Sequence, residues 1–141
     1  MSGSTILPAT ARQMLSEPVI ATLSTLGVDG FPHATPVWVD VEGDLIAITT
    51  ARGRSKTSNL TRDSRVAVSA VDAADPFRAV AVQGKVVEVT EEGADAHIDA
   101  LATKYLGLDE YPLRQPGERR VIVRIEPTRV LMAPADPEEG S

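Results

Sequence analysis

The residues best suited to chemistry lie in a short basic turn. Arg52, Arg54 and Lys56 fall within five positions of a chain whose formal net charge is −6. Thr49 and Thr50 end the apolar stretch before this turn, and a short polar helix is predicted after it. A strand end that leads into a basic turn and a helix N-terminus presents N–H groups and cations to an anion. The spacing is compatible with a phosphate cradle, but a solvated surface turn is the more frequent explanation of such a cluster.

Each polar side chain of the cradle would contribute differently. Arg54 offers a planar fork to phosphate oxygens, and Lys56 offers a compact point charge. Ser55 would either cap the helix or donate its hydroxyl to the anion. Asn59 shares a helix face with Lys56, because side chains at i and i+3 are neighbours on a helix. Asn59 is therefore expected beside Lys56 in the site.

The composition narrows the classes of function. The chain has 141 residues, 43% of them hydrophobic, which fits one domain with a substantial core. It has no cysteine and two histidines without metal-ligand spacing, so thiolate catalysis is excluded and a metal site is not expected. The acidic balance argues against nucleic-acid partners. No apolar run is long enough to span a bilayer, so we expect no membrane partner and a cytoplasmic location.

The elements that must position the turn follow from hydrophobic periodicity and turn signals. We predict helices over 8–16, 55–62 and 91–106, and strands over 19–26, 31–41, 45–50, 65–71, 78–90, 121–126 and 128–133. Short hairpin links imply antiparallel pairing, and six or seven such strands close into a small barrel. We therefore expect a mainly β (α+β) single domain over 1–141, with 1–7 and 134–141 flexible.

Aromatic and histidine side chains are the remaining candidates. Trp38, the only tryptophan, either walls a ligand cavity or is a core or dimer-interface aromatic. His33 is expected to have no role rather than to donate a proton, and His97 is expected to be solvated on the polar face of the last helix. Tyr105 is expected in the core, whereas Tyr111 lies in a loop that could line a substrate pocket.

The stretch Thr49–Val66 resembles the phosphate-binding signature of the pyridoxamine 5′-phosphate oxidase-like split β-barrels. It is most similar to their actinobacterial branch, which uses the deazaflavin coenzyme F420. Three further segments match in the same order, with Val19–Trp38 resembling the first hairpin, Val82–Val86 the long strand and Arg120–Val130 the closing strands. The resemblance covers about residues 8–133 and implies a six- to seven-stranded antiparallel split β-barrel of the FMN-binding type, with a few flanking helices.

The resemblance also implies roles for particular positions. The cofactor phosphate would be held by Arg54, Ser55 and Lys56, with Thr49, Thr50 and Asn59 beside them. The ring system would pass along Thr35, Pro36, Val37 and Trp38. Because the family site lies between two subunits, we expect a homodimer in which the 75–79 region, with Phe77 and Arg78, approaches the partner's cofactor.

Two departures bear on the cofactor. FMN-dependent pyridoxamine phosphate oxidases have adjacent Arg and Lys where Ser55 precedes Lys56 here, and they carry a glutamine where Ala79 stands. Both favour F420 over FMN. We therefore predict an F420-dependent oxidoreductase that transfers a hydride between the deazaflavin and a small organic acceptor, with no side chain assigned as catalytic. The alternatives are an FMN-dependent pyridoxamine phosphate oxidase-like enzyme, a non-catalytic F420-binding or carrier protein, and an unliganded structural barrel.

Overall fold

The computed structural model describes residues 6–53 and 55–134, which form seven strands and three helices. Arg54 and the termini lie outside the described residues. In chain order the elements are α1 (Ala9–Ser16), β1 (Ala21–Leu26), β2 (Pro32–Val37), β3 (Asp40–Glu42), β4 (Leu45–Ala51), α2 (Ser55–Arg62), β5 (Arg65–Val71), β6 (Ala79–Thr90), α3 (Ala94–Leu106) and β7 (Arg120–Ala133). The mainly β class and the antiparallel barrel are confirmed.

The sheet closes because two consecutive strands lie at its opposite edges. The strand order is β2-β1-β5-β6-β7-β4-β3, with antiparallel pairing throughout. Only Trp38 and Val39 separate β2 from β3, so the chain can span no more than about 11 Å between the two edges. The sheet must therefore curl into a split barrel. The prediction of one strand over 31–41, interrupted by its prolines, is wrong, because the chain leaves one edge after Val37 and joins the other.

The core fills the inside of this curled sheet. Alternate side chains of β4 and β7, including Ile46, Ile48 and Ile125, are fully buried, as period-two strands require. Helix α1 covers one end through Met14, which is also fully buried. Leu7 is 2% exposed and belongs to the same cluster. The packed chain thus already includes residue 7, which was expected to be flexible.

The long pair β6–β7 bends where two special residues face each other. Gly84 pairs with Pro127 at a register shift, where proline's missing N–H is tolerated. A Cβ on Gly84 would lie 2.7 Å from the Glu126 carbonyl oxygen, so only glycine fits. The bend predicted at Gly84 is confirmed. The prediction that Pro127 separates two strands is wrong, since β7 runs continuously through it.

Helix α3 begins later than predicted. Gly93, with φ of 77°, precedes its first residue Ala94, so Glu91 lies outside the helix. Glu91 instead accepts hydrogen bonds from Arg119 at 2.8 Å and Arg52 at 3.1 Å. These two arginines hold the pKa of Glu91 below its ordinary value. Among the described residues, no helix is long and apolar enough to cross a membrane.

Candidate functional site

A cleft of about 440 Å³ opens where the end of β4, the start of α2 and one face of α3 converge. The loop between α3 and β7 covers one side of it. Its walls are largely apolar and aromatic, with a few polar groups. The lining residues are Ile20, Pro36, Val37, Trp38, Thr49, Thr50, Ala51, Lys56, Ile98, Leu106, Tyr111, Leu113 and Arg120. This composition is typical of a pocket for an organic cofactor or substrate.

The cleft brings together half of the predicted site. Six of the predicted residues line it, although they come from three elements and the β2–β3 link: Pro36, Val37, Trp38, Thr49, Thr50 and Lys56. Ser55 begins α2, but its side chain, like the whole of Arg54, lies outside the described residues. The strand-end threonines and the helix lysine therefore meet as the signature predicts.

Thr50 marks the polar end of the cleft. Its residue is 3% exposed, and its hydroxyl has no hydrogen-bond partner among the described residues. A buried hydroxyl without a partner is unfavourable by about 1–3 kcal/mol, so such a group is suited to an acceptor on a bound ligand. Lys56 lies in the same wall, at the start of α2. A phosphate-bearing cofactor fits this donor set.

Asn59 is near Lys56 on α2, as helical spacing predicts, but its side chain bonds within the fold and does not line the cleft. It is 4% exposed and donates to the Thr25 hydroxyl at 3.0 Å. Its carbonyl oxygen accepts from Arg62 at 2.8 Å, and its amide lies 3.2 Å from a ring nitrogen of His33. The reason is that α2 packs its Asn59 face against β1. His33, which is expected to have no role, therefore has a side-chain partner in Asn59.

Three other predicted residues do not line the cleft of this chain. Thr35 lies outside its wall. Phe77 is 81% exposed, and Arg78 forms ion pairs with Glu17 at 2.9 Å and Asp72 at 2.7 Å. These carboxylates raise the pKa of Arg78. The predicted approach of Phe77 and Arg78 to a partner's cofactor concerns a second subunit and stays a prediction.

An aromatic group forms another part of the wall. Trp38 stacks on Tyr105 with ring centroids 5.0 Å apart, and Tyr111 meets Trp38 edge-on at 5.9 Å. Arg120 lies over the Tyr111 ring at 4.6 Å and pairs with Glu118 at 3.0 Å. Trp38 and Tyr111 therefore both line the cleft. For Trp38 this is the cavity-wall alternative, and for Tyr111 it is the suggested place in a pocket. Flat aromatic surfaces of this kind suit a planar ring system.

The end of α3 holds the crossover between the sheet edges. The Tyr105 hydroxyl donates to the Val19 carbonyl at 2.5 Å and accepts from the Val39 N–H at 3.0 Å. Lys104 donates to the carbonyls of Val39 at 2.6 Å and Leu15 at 3.0 Å. Burial raises the pKa of Tyr105 and lowers that of Lys104. Tyr105, expected as plain core, thus contacts Trp38 through its ring and the neighbouring Val39 through its hydroxyl.

His97 is buried against the sheet, whereas the sequence predicts that it is solvated. Its side chain is only 9% exposed, and its Nδ1 forms a hydrogen bond with the Thr49 hydroxyl. Burial lowers its pKa from the ordinary value of 6.5. The polar-face assignment failed because Asp40 and Thr49 lie beneath that face of α3. Nothing local to the 91–106 segment indicates these partners.

Other lining residues were not singled out from the sequence. Ile98, Leu106 and Leu113 are ordinary apolar residues of α3 and the following loop. Ile98 and Leu106 are eight residues apart on α3 and therefore lie on similar faces of the helix. The same spacing is typical of a helix face that packs into the core. Arg120 is noticeable in the sequence as a charged residue at the start of a strand, yet no sequence pattern connects it to the cleft.

Comparison with known proteins identifies the fold. The sequence model of the pyridoxamine 5′-phosphate oxidase family matches residues 7–133. No curated protein sequence matches the chain. A solved F420 reductase is 26% identical, with a TM-score of 0.77 over 88% of this chain and 98% of that one.

Two further solved structures extend the comparison. A conserved hypothetical protein from Mycobacterium tuberculosis is 26% identical, with a TM-score of 0.71 over 94% of this chain and 88% of that one. General Stress Protein 26 from Bacillus anthracis is 19% identical, with a TM-score of 0.65 over 90% and 93%, and so supports the fold alone. From the family match, the chain belongs to the pyridoxamine 5′-phosphate oxidase family, a group of split β-barrels with a fold that binds flavin-type cofactors.

Proposed function

We propose that the protein is an F420-dependent oxidoreductase that transfers a hydride between the deazaflavin and a small organic acceptor in the cleft. The observation that carries the proposal is the pairing of a polar end with an aromatic wall in one cavity. Thr50 and Lys56 form the polar end, and Trp38 and Tyr111 form part of the wall. The likeness to an F420 reductase supports the deazaflavin as the cofactor.

The residues of the chain would bind, orient and shield the cofactor. Lys56 and the Thr50 hydroxyl would hold its phosphate, and Trp38 would set the plane of its ring. The bound deazaflavin would supply the hydride chemistry. The apolar side chains of Ile20 and Leu113 would limit the access of water, which strengthens electrostatic interactions inside the cleft.

FMN is the second candidate cofactor. The family is named for pyridoxamine 5′-phosphate oxidase, an enzyme that uses FMN. The polar end of the cleft would hold the phosphate of either F420 or FMN. Ser55 and Ala79, which differ from the residues typical of FMN-using members, favour F420. Binding without turnover of any acceptor would instead identify a carrier protein.

The cofactor test is a pair of titrations. Trp38 is the only tryptophan and lies in the cleft, so its fluorescence reports occupancy directly. We expect F420 to bind with a Kd in the micromolar range or tighter, about 8 kcal/mol of binding free energy. Tighter binding of FMN would transfer the proposal to the flavin enzyme, and absence of binding by both would refute it. Reduced cofactor is then mixed with quinones and activated alkenes, and its reoxidation is followed by absorbance.

Lys56→Ala tests the phosphate end. Loss of one charge-assisted contact is expected to weaken F420 binding by roughly 10- to 100-fold, from about 1.5–3 kcal/mol. Lys85→Ala is the matched control, since Lys85 is exposed on β6 and does not line the cleft. Equal affinities of the two variants would show that the phosphate is held elsewhere.

We further propose a cytoplasmic homodimer. Several large apolar side chains are exposed on the single chain, including Ile20 at 56%, Val71 at 54%, Phe77 at 81% and Leu131 at 54%. Burying them against a second copy would be favourable by about 25 cal/mol per Å². Light scattering should give twice the chain mass of 15.0 kDa. A monomer at micromolar concentration would refute the shared site.

A further inference from the structure

A hydrogen bond connects the wall of the cleft to a buried histidine behind it. The Thr49 hydroxyl, on β4, pairs with Nδ1 of His97, on α3. Thr49 lines the cleft, whereas His97 does not. The histidine side chain is 9% exposed. Thr49 is therefore the link through which His97 can act on a molecule in the cleft.

The other ring nitrogen of His97 lies near a carboxylate. Nε2 is buried and has no hydrogen-bond partner among the described residues. It lies 3.9 Å from Oδ2 of Asp40, a side chain that is 38% exposed. The second carboxylate oxygen of Asp40 accepts the Val41 N–H at 2.9 Å, which fixes the group. A buried ring nitrogen without a partner calls for an explanation other than packing, because an apolar residue would fill the same space without this penalty.

Charged groups from three elements surround the imidazole. Asp40 and Glu42 on β3 favour its protonated form, whereas Arg124 on β7 and Lys104 on α3 oppose it. Burial is the largest influence and lowers its pKa. The neutral ring thus predominates at neutral pH. The protonated ring is, for the same reason, a stronger acid than an exposed histidine.

We propose that Asp40, His97 and Thr49 form a proton relay from solvent to the acceptor in the cleft. The relay rests on the proposed reductase function. Hydride addition forms a C–H bond on the acceptor and leaves an extra negative charge there. The Thr49 hydroxyl gives its proton to that anion and takes one from Nδ1 of protonated His97, which becomes neutral. The neutral ring keeps its proton on Nε2, beside Asp40, and Nδ1 regains a proton from water through the Thr49 hydroxyl once the product has left, so one hydride and one proton are added in total.

The relay assigns separate roles to the three residues. Thr49 is the group that touches the acceptor, and His97 is the proton source behind it. Asp40 is a positioning residue, since it acts through the imidazole. General acid catalysis of this kind contributes about 10²–10⁴-fold to a rate.

Nitrogen-15 NMR of the histidine rings tests the connection without requiring turnover. His33 and His97 are the only histidines, so a His33→Gln background leaves the His97 signals alone. Adding oxidised F420 should shift the Nδ1 resonance in this background and in Thr49→Ser, which keeps a hydroxyl. Thr49→Val, which keeps the side-chain shape, should abolish the response. Asp40→Asn should lower the His97 pKa by about 0.7 unit, the interaction of two charges 4 Å apart in water.

Kinetics with the best acceptor of the panel provide a second readout. Reoxidation of reduced F420 should accelerate as the pH falls towards the His97 pKa. Thr49→Val and His97→Gln should lose about 100-fold in rate and this pH dependence, and His97→Gln, which does not line the cleft, should keep its F420 affinity within about threefold. His33→Gln is the control and should keep the wild-type profile.

The outcomes separate the relay from the proposed function. The relay is overturned if F420 binds and the His97 resonance does not shift. It is also overturned if the resonance shifts as much in Thr49→Val as in the wild type. The reductase proposal stands in both cases. Absence of binding by both F420 and FMN overturns both. If His97→Gln fails to fold, the shape-preserving Thr49→Val and Asp40→Asn variants decide the question by NMR.

Discussion

Tyr105→Phe should destabilise the protein far more than the loss of one oxygen atom suggests. The hydroxyl connects two backbone groups, the Val19 carbonyl and the Val39 N–H, at 2.5 and 3.0 Å. Val19 is 8% exposed and Val39 is fully buried, so water cannot readily replace the hydroxyl. The phenyl ring would preserve the stacking on Trp38. The substitution therefore isolates the polar clamp between α3 and the crossover of the sheet edges.

The expected magnitude follows from the two orphaned groups. Each buried backbone group left without a partner costs about 1–3 kcal/mol, and removal of the buried hydroxyl itself offsets about 1 kcal/mol or more. The net loss is about 2 kcal/mol. For a chain of 141 residues this lowers the Tm by about 6 °C.

Urea and thermal unfolding measure the effect. Trp38 fluorescence reports the cleft, and circular dichroism reports the whole sheet. Tyr111→Phe is the matched control, because Tyr111 also contacts Trp38 but no hydrogen bond of its hydroxyl is found in the described part of the chain. A Tyr105→Phe protein as stable as the control would refute the clamp. A loss confined to Trp38 fluorescence would show that the clamp orders the cleft without stabilising the barrel.

Three further outcomes test other parts of the structure. Gly84→Ala should lose about 2 kcal/mol of unfolding free energy in urea, because its Cβ would meet the Glu126 carbonyl at 2.7 Å. Asn59→Ala should lose a similar amount of unfolding free energy in urea and should keep its F420 affinity within about twofold. An unchanged affinity would contradict any role of Asn59 in the cleft. His97 has a lowered pKa in the folded state, so its contribution to stability is complete above the ordinary value of 6.5 and is lost as the pH falls below it. Thermal melts of His97→Gln should therefore decline less on acidification than those of His33→Gln, provided that both fold.

The sequence predicts the parts of the site that one local segment builds. Thr49, Thr50 and Lys56 are close in the chain, and a strand, a turn and a helix suffice to bring them to one place. Their meeting at the cleft depends on little else. Asn59 shows the limit of this reasoning. Helical spacing correctly places it near Lys56, but only the packing of α2 on β1 determines that its amide faces the Thr25 hydroxyl.

Contacts between distant segments are what local patterns miss. Phe31 to Val41 has the residues of one interrupted strand, and no local signal shows that Val37 and Asp40 belong to opposite edges of a sheet. That closure depends on the whole strand order. The helical pattern alone predicts a solvated His97, because its own helix is polar on that side. Its burial follows from the position of α3 over Asp40 and the end of β4.

One helix therefore connects the features that determine the function of the cleft. Helix α3 carries Tyr105, which fixes the aromatic wall, and His97, which reaches Thr49 from behind. It also supplies Ile98 and Leu106 to the lining. None of these four α3 residues belongs to the phosphate-binding signature. On the proposed function, the signature would determine which end of the cofactor is held. Helix α3 and the loop after it would determine the plane of the ring, the acceptor that fits against it and the route of the proton. Substitutions in α3 should accordingly change the choice of acceptor more than the affinity for the cofactor.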